Sequence, residues 1–134
     1  MPIPADILED PYEFQKLLGF TITEWTHDLC ELHQPMHKGL GNRYGIPHGG
    51  IYASLLDTVM GYSGCFTGSK DNLKQAMTLS LNVSYLSRPK GKILIATGQR
   101  IGGGARTFFA EAKLCDETGE FIASASGTFR YRSN

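Results

Sequence analysis

Asn42-Arg43-Tyr44-Gly45-Ile46-Pro47-His48-Gly49-Gly50-Ile51-Tyr52-Ala53-Ser54-Leu55-Leu56-Asp57 is the stretch from which the rest of this chain is read. Tyr44 to Pro47 reads as loop, because the residue before a proline is pushed out of the helical region. From His48 onward Ile51, Leu55, Val59 and Tyr62 recur at spacings of three and four, which predicts a helix over residues 48–66. Its first turn holds Gly49 and Gly50, whose N–H groups have no partner inside the helix. With no side chain in the way, both can point at a ligand oxygen, and the helix dipole favours negative charge there. An oxyanion site can be built from backbone in this way.

At about 100° per residue, Ile51, Tyr52, Leu55, Leu56, Val59 and Tyr62 share one broad apolar face. Asp57 falls on the other side, on a stripe with Gly50, Ala53, Ser54, Gly61 and Gly64. Two readings of that stripe stand side by side. Small residues leave open space in front of a working carboxylate; they also let another element pack closely, with Asp57 merely an exposed acid. Each glycine inside a helix costs roughly 1 kcal/mol relative to alanine, and either packing or a ligand site would offset that.

At 134 residues the chain is expected to be one domain, 1–134, with a single core. Lys+Arg and Asp+Glu are both 13, so no global field favours nucleic acid or an anionic membrane. No apolar run approaches the length of a membrane span, and Met1 to Asp10 lacks the apolar region of a signal peptide. Cys30, Cys65 and Cys115 are odd in number and scattered, as in proteins of a reducing compartment; the expected location is cytoplasmic.

Around the helix the pattern is that of strands. Pro11 to Leu18 is a short amphipathic helix candidate, with Asp10 as N-cap. Phe20 to Trp25 and Leu29 to Met36 are strand-like, joined at His27-Asp28. After a loop at Gly68 to Asn72, Gln75 to Ser87 alternates: Met77, Leu79, Leu81, Val83 and Tyr85 on one face, Thr78, Ser80, Asn82 and Ser84 on the other. Lys92 to Ile101 is a further strand, Gly102-Gly103-Gly104 a flexible break, and Arg106 to Cys115 a strand again. Asp116 to Gly119 is a hairpin turn with glycine in the left-handed slot. Phe121 to Tyr131 is the last strand, with Phe121, Ala123, Ala125, Phe129 and Tyr131 facing one way. Four consecutive strands with short connections predict an antiparallel meander, and the long helix must cover its apolar face. The fold class is α+β, an antiparallel sheet wrapped around one long central helix, which is the hot-dog architecture.

Asn42, His48-Gly49-Gly50, Ala53, Leu55 and Asp57, followed by Tyr85 to Pro89, resemble the PaaI-type branch of the hot-dog thioesterases, among them enzymes of the phenylacetate pathway. The spacing of asparagine, His-Gly-Gly and aspartate matches throughout; Tyr85-Leu86-Ser87-Arg88-Pro89 is one residue longer than the usual form. The resemblance implies hydrolysis of acyl-CoA thioesters with no cofactor. It implies that the Gly49 N–H and the Asn42 carboxamide polarise the thioester carbonyl. Asp57 then acts as general base for water or attacks to give a mixed anhydride. His48 orients Asn42 and caps the helix. A hydroxyl residue at the start of the third strand falls at Thr78, which alternation places away from the apolar face, able to act only at a subunit edge.

Gly50, Gly104 and Arg106 with Arg88 are the expected substrate contacts. Arg88, Lys90, Lys92, Arg100 and Arg106 all sit at strand ends, where they can pair with the phosphates of coenzyme A or be plain solvated charge. His33 and His37 have a metal-like spacing, but Pro35 lies between them and no third ligand is near, so no metal is expected. A hydratase or dehydratase on acyl thioesters and a non-catalytic acyl-CoA sensor are the rival functions for such a fold. Tyr62, Phe66 and Tyr85 are available as walls for an aryl-acetyl or medium-chain acyl group. The long alternating strand reads as an edge that a second copy would cover, giving a homodimer and, by resemblance, a dimer of dimers.

Overall fold

The computed structural model describes residues 3–133. Along the chain, α1 (Glu13–Leu18) leads into β1 (Thr21–Thr26) and β2 (Leu29–Pro35). A 3-10 turn (Lys38–Leu40) and the helix α2 (Gly49–Ser63) follow, then β3 (Ala76–Tyr85), β4 (Ile93–Gly103), β5 (Thr107–Asp116) and β6 (Phe121–Tyr131). The six strands form one antiparallel sheet in the order β1-β2-β4-β5-β6-β3, with α2 packed across it. This is the hot-dog architecture. No helix among the described residues is long and apolar enough to cross a membrane.

The helix face follows the hydrophobic spacing, with Met60 added to it. Leu55, Leu56, Val59 and Met60 are fully buried against Leu32, Leu94, Phe108, Leu114 and Phe129 from the sheet. Each such side chain contributes roughly 1.5–3 kcal/mol. The helix rests directly on β4: a Cβ on Gly98 would stand 2.5 Å from the Val59 carbonyl. Gly64 belongs to this packing and not to an open stripe, because a Cβ there would run into the Phe108 ring. Trp25 Nε1 donates to the Tyr62 carbonyl (2.8 Å) and the Tyr131 hydroxyl to that of Gly64 (2.8 Å), so the last turn of α2 is satisfied by side chains.

Four expectations are corrected here. The first helix starts at Glu13, not Pro11, and Asp10 does not cap it; Tyr12 is extended instead (φ −89°, ψ 170°), with its ring edge-on to Phe20. The meander fails at one step. β3 pairs with β6 on the far edge, and β4 pairs with β2, so the loop after Tyr85 crosses the end of the sheet. The reason lies in composition: small Ala96 and Gly98 fit β4 under the helix, while β3, rich in Ser, Thr and Asn, tolerates an edge. The triple glycine is no break. Gly102 and Gly103 are strand residues, and Gly103 (φ 137°) lets the hairpin close where a Cβ would lie 2.5 Å from Phe108 Cα. Phe121 is 41% exposed and Ile122 fully buried in its place, because the β5–β6 register shifts beside Leu114.

The crossing loop is stapled to the β5–β6 turn by two carboxylates. Asp116, 2% exposed, accepts at Oδ2 from the N–H groups of Lys90 (2.6 Å) and Gly91 (2.8 Å). Its Oδ1 accepts from the Thr118 N–H (2.9 Å) and hydroxyl (2.6 Å) and the Glu120 N–H (3.1 Å). Glu117 accepts from the next two N–H groups, those of Lys92 and Ile93, at 2.8–3.0 Å. Burial alone would raise the Asp116 carboxyl. The five donors more than reverse that and hold it well below the usual carboxylate range.

Candidate active site

The loop before α2 is closed by its own asparagine. Gly41 bridges to Pro47, and the Asn42 Oδ1 accepts from the N–H groups of Tyr44 (2.9 Å) and Ile46 (3.4 Å). With the carboxamide oxygen held inside the loop, its NH2 group remains as donor. His48 is the extended N-cap residue (φ −67°, ψ 138°), and its Nδ1 accepts from the Gly50 N–H at 2.8 Å. Capping by His48 is therefore present. It does not hold Asn42: no hydrogen bond joins the two side chains among the described residues. The cap also removes Gly50 from the expected pair of oxyanion donors, since its N–H is occupied by the imidazole. Gly49 alone keeps a free N–H. The Tyr85 hydroxyl donates to the Gly49 carbonyl (3.0 Å), with the ring close over the glycine.

Two turns further on, Asp57 is half-buried and accepts at Oδ1 from the Thr78 hydroxyl at 2.7 Å. Thr78 thus lies on the inner face of β3, opposite to where alternation puts it. A β-bulge explains this: Thr78 pairs with Phe129 and Ser80 with Thr128, so Leu79 is an extra residue and the alternation changes phase there. Ala76 and Thr78 face the helix before the bulge; Leu81 and Val83 pack toward the core after it. Met77 and Leu79 are exposed by 48% and 56%.

A cleft of about 470 Å³ opens beside this pair, running between the outer face of α2, the start of β3 and the segment ahead of α1. Asp57 and Thr78 lie in its wall, and Tyr12, Trp25, Tyr62 and Phe129 supply its aromatic surface. Of the expected walls only Tyr62 lines it. Phe66 borders a second, smaller cleft, and Tyr85 sits over Gly49. Trp25, Phe129 and Tyr12 carry no local mark of a cleft residue in sequence. Strand order brings Trp25 and Phe129 to Asp57, and the segment ahead of α1 brings Tyr12. Burial raises the Glu9 carboxyl at the rim and pushes the Cys65 thiol up to about 11, with Lys74 pulling the thiol the other way.

The basic residues divide into two groups. Arg88, Lys90 and Lys92 lie in the loop that Asp116 and Glu117 tie down, beyond the N-terminal end of α2. Arg100, Gly104 and Arg106 lie at the β4–β5 hairpin at the opposite end, where Gly104 and Arg100 line the second cleft of about 170 Å³. The ten residues of β5 separate the two ends, about 33 Å at the usual rise per residue. One chain therefore cannot bring Arg88 and Arg106 to the same phosphate. His33 pairs with Glu31 (3.0 Å) and His37 with the Leu18 carbonyl (2.8 Å). Among the described residues no group of three or more His, Cys, Asp or Glu could hold a metal ion.

A family model described as the thioesterase superfamily matches residues 44–123, from the loop after Asn42 into β6. The chain belongs to the thioesterase superfamily. It is 30% identical over 131 residues to the medium/long-chain acyl-CoA thioesterase YigI of Escherichia coli K12, covering 87% of this chain and 83% of the relative. Among solved structures, BH2602 protein from Bacillus halodurans, determined with CoA, superposes with a TM-score of 0.76. It is 26% identical, over 90% of this chain and 79% of that one. E. coli PaaI, from the phenylacetic acid degradation operon, gives a TM-score of 0.78 at 19% identity, over 90% and 85% of the two chains. At that identity the likeness to PaaI speaks for the shared fold. This thioesterase is an enzyme, a thioester hydrolase, and its candidate residues lie at the start of α2 and, two turns on, at the Asp57–Thr78 pair.

Proposed function

We propose that this thioesterase hydrolyses acyl-CoA, with Asp57 as the reacting carboxylate and the Gly49 N–H and Asn42 NH2 group as donors to the thioester carbonyl. The observation that carries the reading is the Thr78–Asp57 hydrogen bond at the mouth of an aromatic cleft. Thr78 fixes one carboxylate oxygen and leaves the other for chemistry. That second oxygen either takes a proton from water as the water attacks the carbonyl, or itself bonds to the carbonyl carbon and expels the coenzyme A thiolate. In the second route, water then opens the mixed anhydride. Either way the products are a free acid and a thiol. Thiol released from acyl-CoA, read with a thiol reagent, tests the reading; an enoyl absorbance change without thiol would instead indicate a hydratase.

Geometry also argues that one copy is not enough. Gly49 and Asp57 are eight residues apart on α2, about 12 Å along its axis. A single carbonyl, reached by donors within about 3 Å, cannot touch both. A second copy joined through the edge strand β3 would present its helix start to the first copy's Asp57 and Thr78, and would bring opposite ends of the two sheets together. The exposed Met77 and Leu79 on that strand support such a contact. The reading is a homodimer, with a dimer of dimers by resemblance. Light scattering at micromolar concentration should give twice 14.7 kDa or more; a monomer mass would refute this arrangement.

For the acyl group, the cleft's Trp25, Tyr62 and Phe129 favour an aryl-acetyl or medium-chain chain over a long saturated one. YigI is named for medium and long acyl chains together, and PaaI comes from the phenylacetic acid degradation operon. In a panel of phenylacetyl-, hydroxyphenylacetyl-, benzoyl-, hexanoyl- and palmitoyl-CoA, kcat/KM for phenylacetyl-CoA should exceed that for palmitoyl-CoA by at least ~10-fold, since each misfitting methylene is worth about 1–3 kcal/mol. The reverse order would leave a fatty acyl-CoA thioesterase. Cys30, Cys65 and Cys115 are free thiols, which supports a cytoplasmic setting.

A further inference from the structure

We propose that Tyr85 is a positioning residue for the thioester reaction, acting through the Gly49–Gly50 peptide. The proposal rests on the reading of Gly49 as oxyanion donor. Two consecutive glycines at the start of a helix leave the backbone with the most freedom any residues allow, and a donor that is to meet a developing charge must be held still. The structure clamps this peptide from both sides. Its N–H, that of Gly50, donates to His48 Nδ1 at 2.8 Å, and its carbonyl, that of Gly49, accepts from the Tyr85 hydroxyl at 3.0 Å. The Tyr85 ring also caps the place where a side chain would be: a Cβ on Gly49 would stand 3.2 Å from Tyr85 Cε1. Tyr52 backs that ring at 6.1 Å between centroids.

The clamp is not what packing requires. Tyr85 is 56% exposed and ends the edge strand, so it contributes little to the core. A phenol at the surface whose oxygen meets the Gly49 carbonyl does a task that phenylalanine could not. With the hydroxyl gone, the Gly49–Gly50 peptide can rock about the Gly49 Cα, and the Gly49 N–H loses its aim. Substrate binding, which depends on the cleft and the coenzyme contacts, would be untouched. The effect should therefore fall on the chemical step alone.

The test uses the full chain in two variants. Tyr85→Phe keeps the ring over Gly49 and should lower the single-turnover rate by about 10-fold with KM within about two-fold of the parent. Replacing Tyr85 with 3-fluorotyrosine keeps the shape and strengthens the hydroxyl as a donor, and guards against a folding defect in the first variant. The second readout is infrared: the panel's best acyl group is prepared as a ketone analogue of acyl-CoA, with methylene in place of sulfur and a 13C carbonyl. Bound to the parent enzyme, its stretch should fall below its value in water; in Tyr85→Phe part of that fall should be lost, and the fluorinated protein should retain or deepen it. A lowered stretch in the parent that is unchanged in Tyr85→Phe, with an unchanged rate, would overturn the role of Tyr85 and leave the oxyanion reading standing. A stretch that is not lowered in the parent would remove the oxyanion reading and Tyr85's role together. A lower melting temperature with an unaltered rate and stretch would make Tyr85 merely structural, and so also refute the proposal.

Discussion

Asp57→Asn should lower turnover of the best acyl-CoA substrate by at least ~100-fold, the usual scale on which a general base counts. The substitution is chosen because it changes little else. The amide oxygen can still accept from the Thr78 hydroxyl, now 2.7 Å from Oδ1, and the size of the side chain is unchanged. What disappears is the negative charge and the lone pair able to take a proton or attack a carbonyl carbon. Circular dichroism and thermal melting should match the parent protein. Full activity in a correctly folded Asp57→Asn protein would mean that the carboxylate has no part in the reaction, and the proposed mechanism would fall.

The second large effect is on stability. Asp116→Asn should cost on the order of 3 kcal/mol at neutral pH, because an amide presents one acceptor oxygen to a site that needs two. Whichever way it turns, its NH2 group faces N–H donors: either Lys90 and Gly91, or Thr118 and Glu120. Under fixed protein concentration this is a fall of roughly 10 °C in melting temperature. The dependence on pH has a definite sign. Asp116 is depressed in the folded state, so the stability it contributes is fully present above its unfolded value, near 4, and is lost as pH falls below that toward the folded value. The gap between parent and variant should thus be full at pH 7 and shrink progressively as pH falls from about 4 toward 2. A gap that stays constant across that range would show that the hydrogen bonds do not depend on the ionised carboxylate.

Sequence reading reached the architecture because its signals are periodic. The three- and four-residue spacing in Ile51, Leu55 and Val59 marks a helix, and the alternation of β5 and β6 marks strands, whatever lies next to them. Strand order has no such local signature: nothing in Leu86 to Lys92 says that the chain crosses the sheet instead of turning back. Asp57, Gly49 and Asn42 stand out as candidates because their chemistry and spacing are unusual. Alternation puts Thr78 on the wrong face because Leu79 looks like one more member of the row, and a bulge adds a residue without changing composition. Gly50 reads as a donor from sequence because nothing there says that its neighbour's imidazole turns back onto it instead of to solvent. The basic residues looked like one set because strand ends carry no label for which end of the sheet they occupy.

The position of β3 also sets the order in which this protein can come together in time. β4, β5 and β6 are joined by short hairpins and can zip with little loss of chain entropy. β3 must wait for β6, forty-five or more residues later for most of its pairs, from Ala76 with Tyr131 to Leu81 with Gly127. Pulse-labelled hydrogen exchange during refolding should accordingly find the β4–β5 amides protected before those between β3 and β6. Until that last strand docks, β6 offers a bare edge to any extended chain nearby. The strand that carries Thr78 is then also the one that covers β6, so the β6 edge is closed at the same step that brings Thr78 to Asp57.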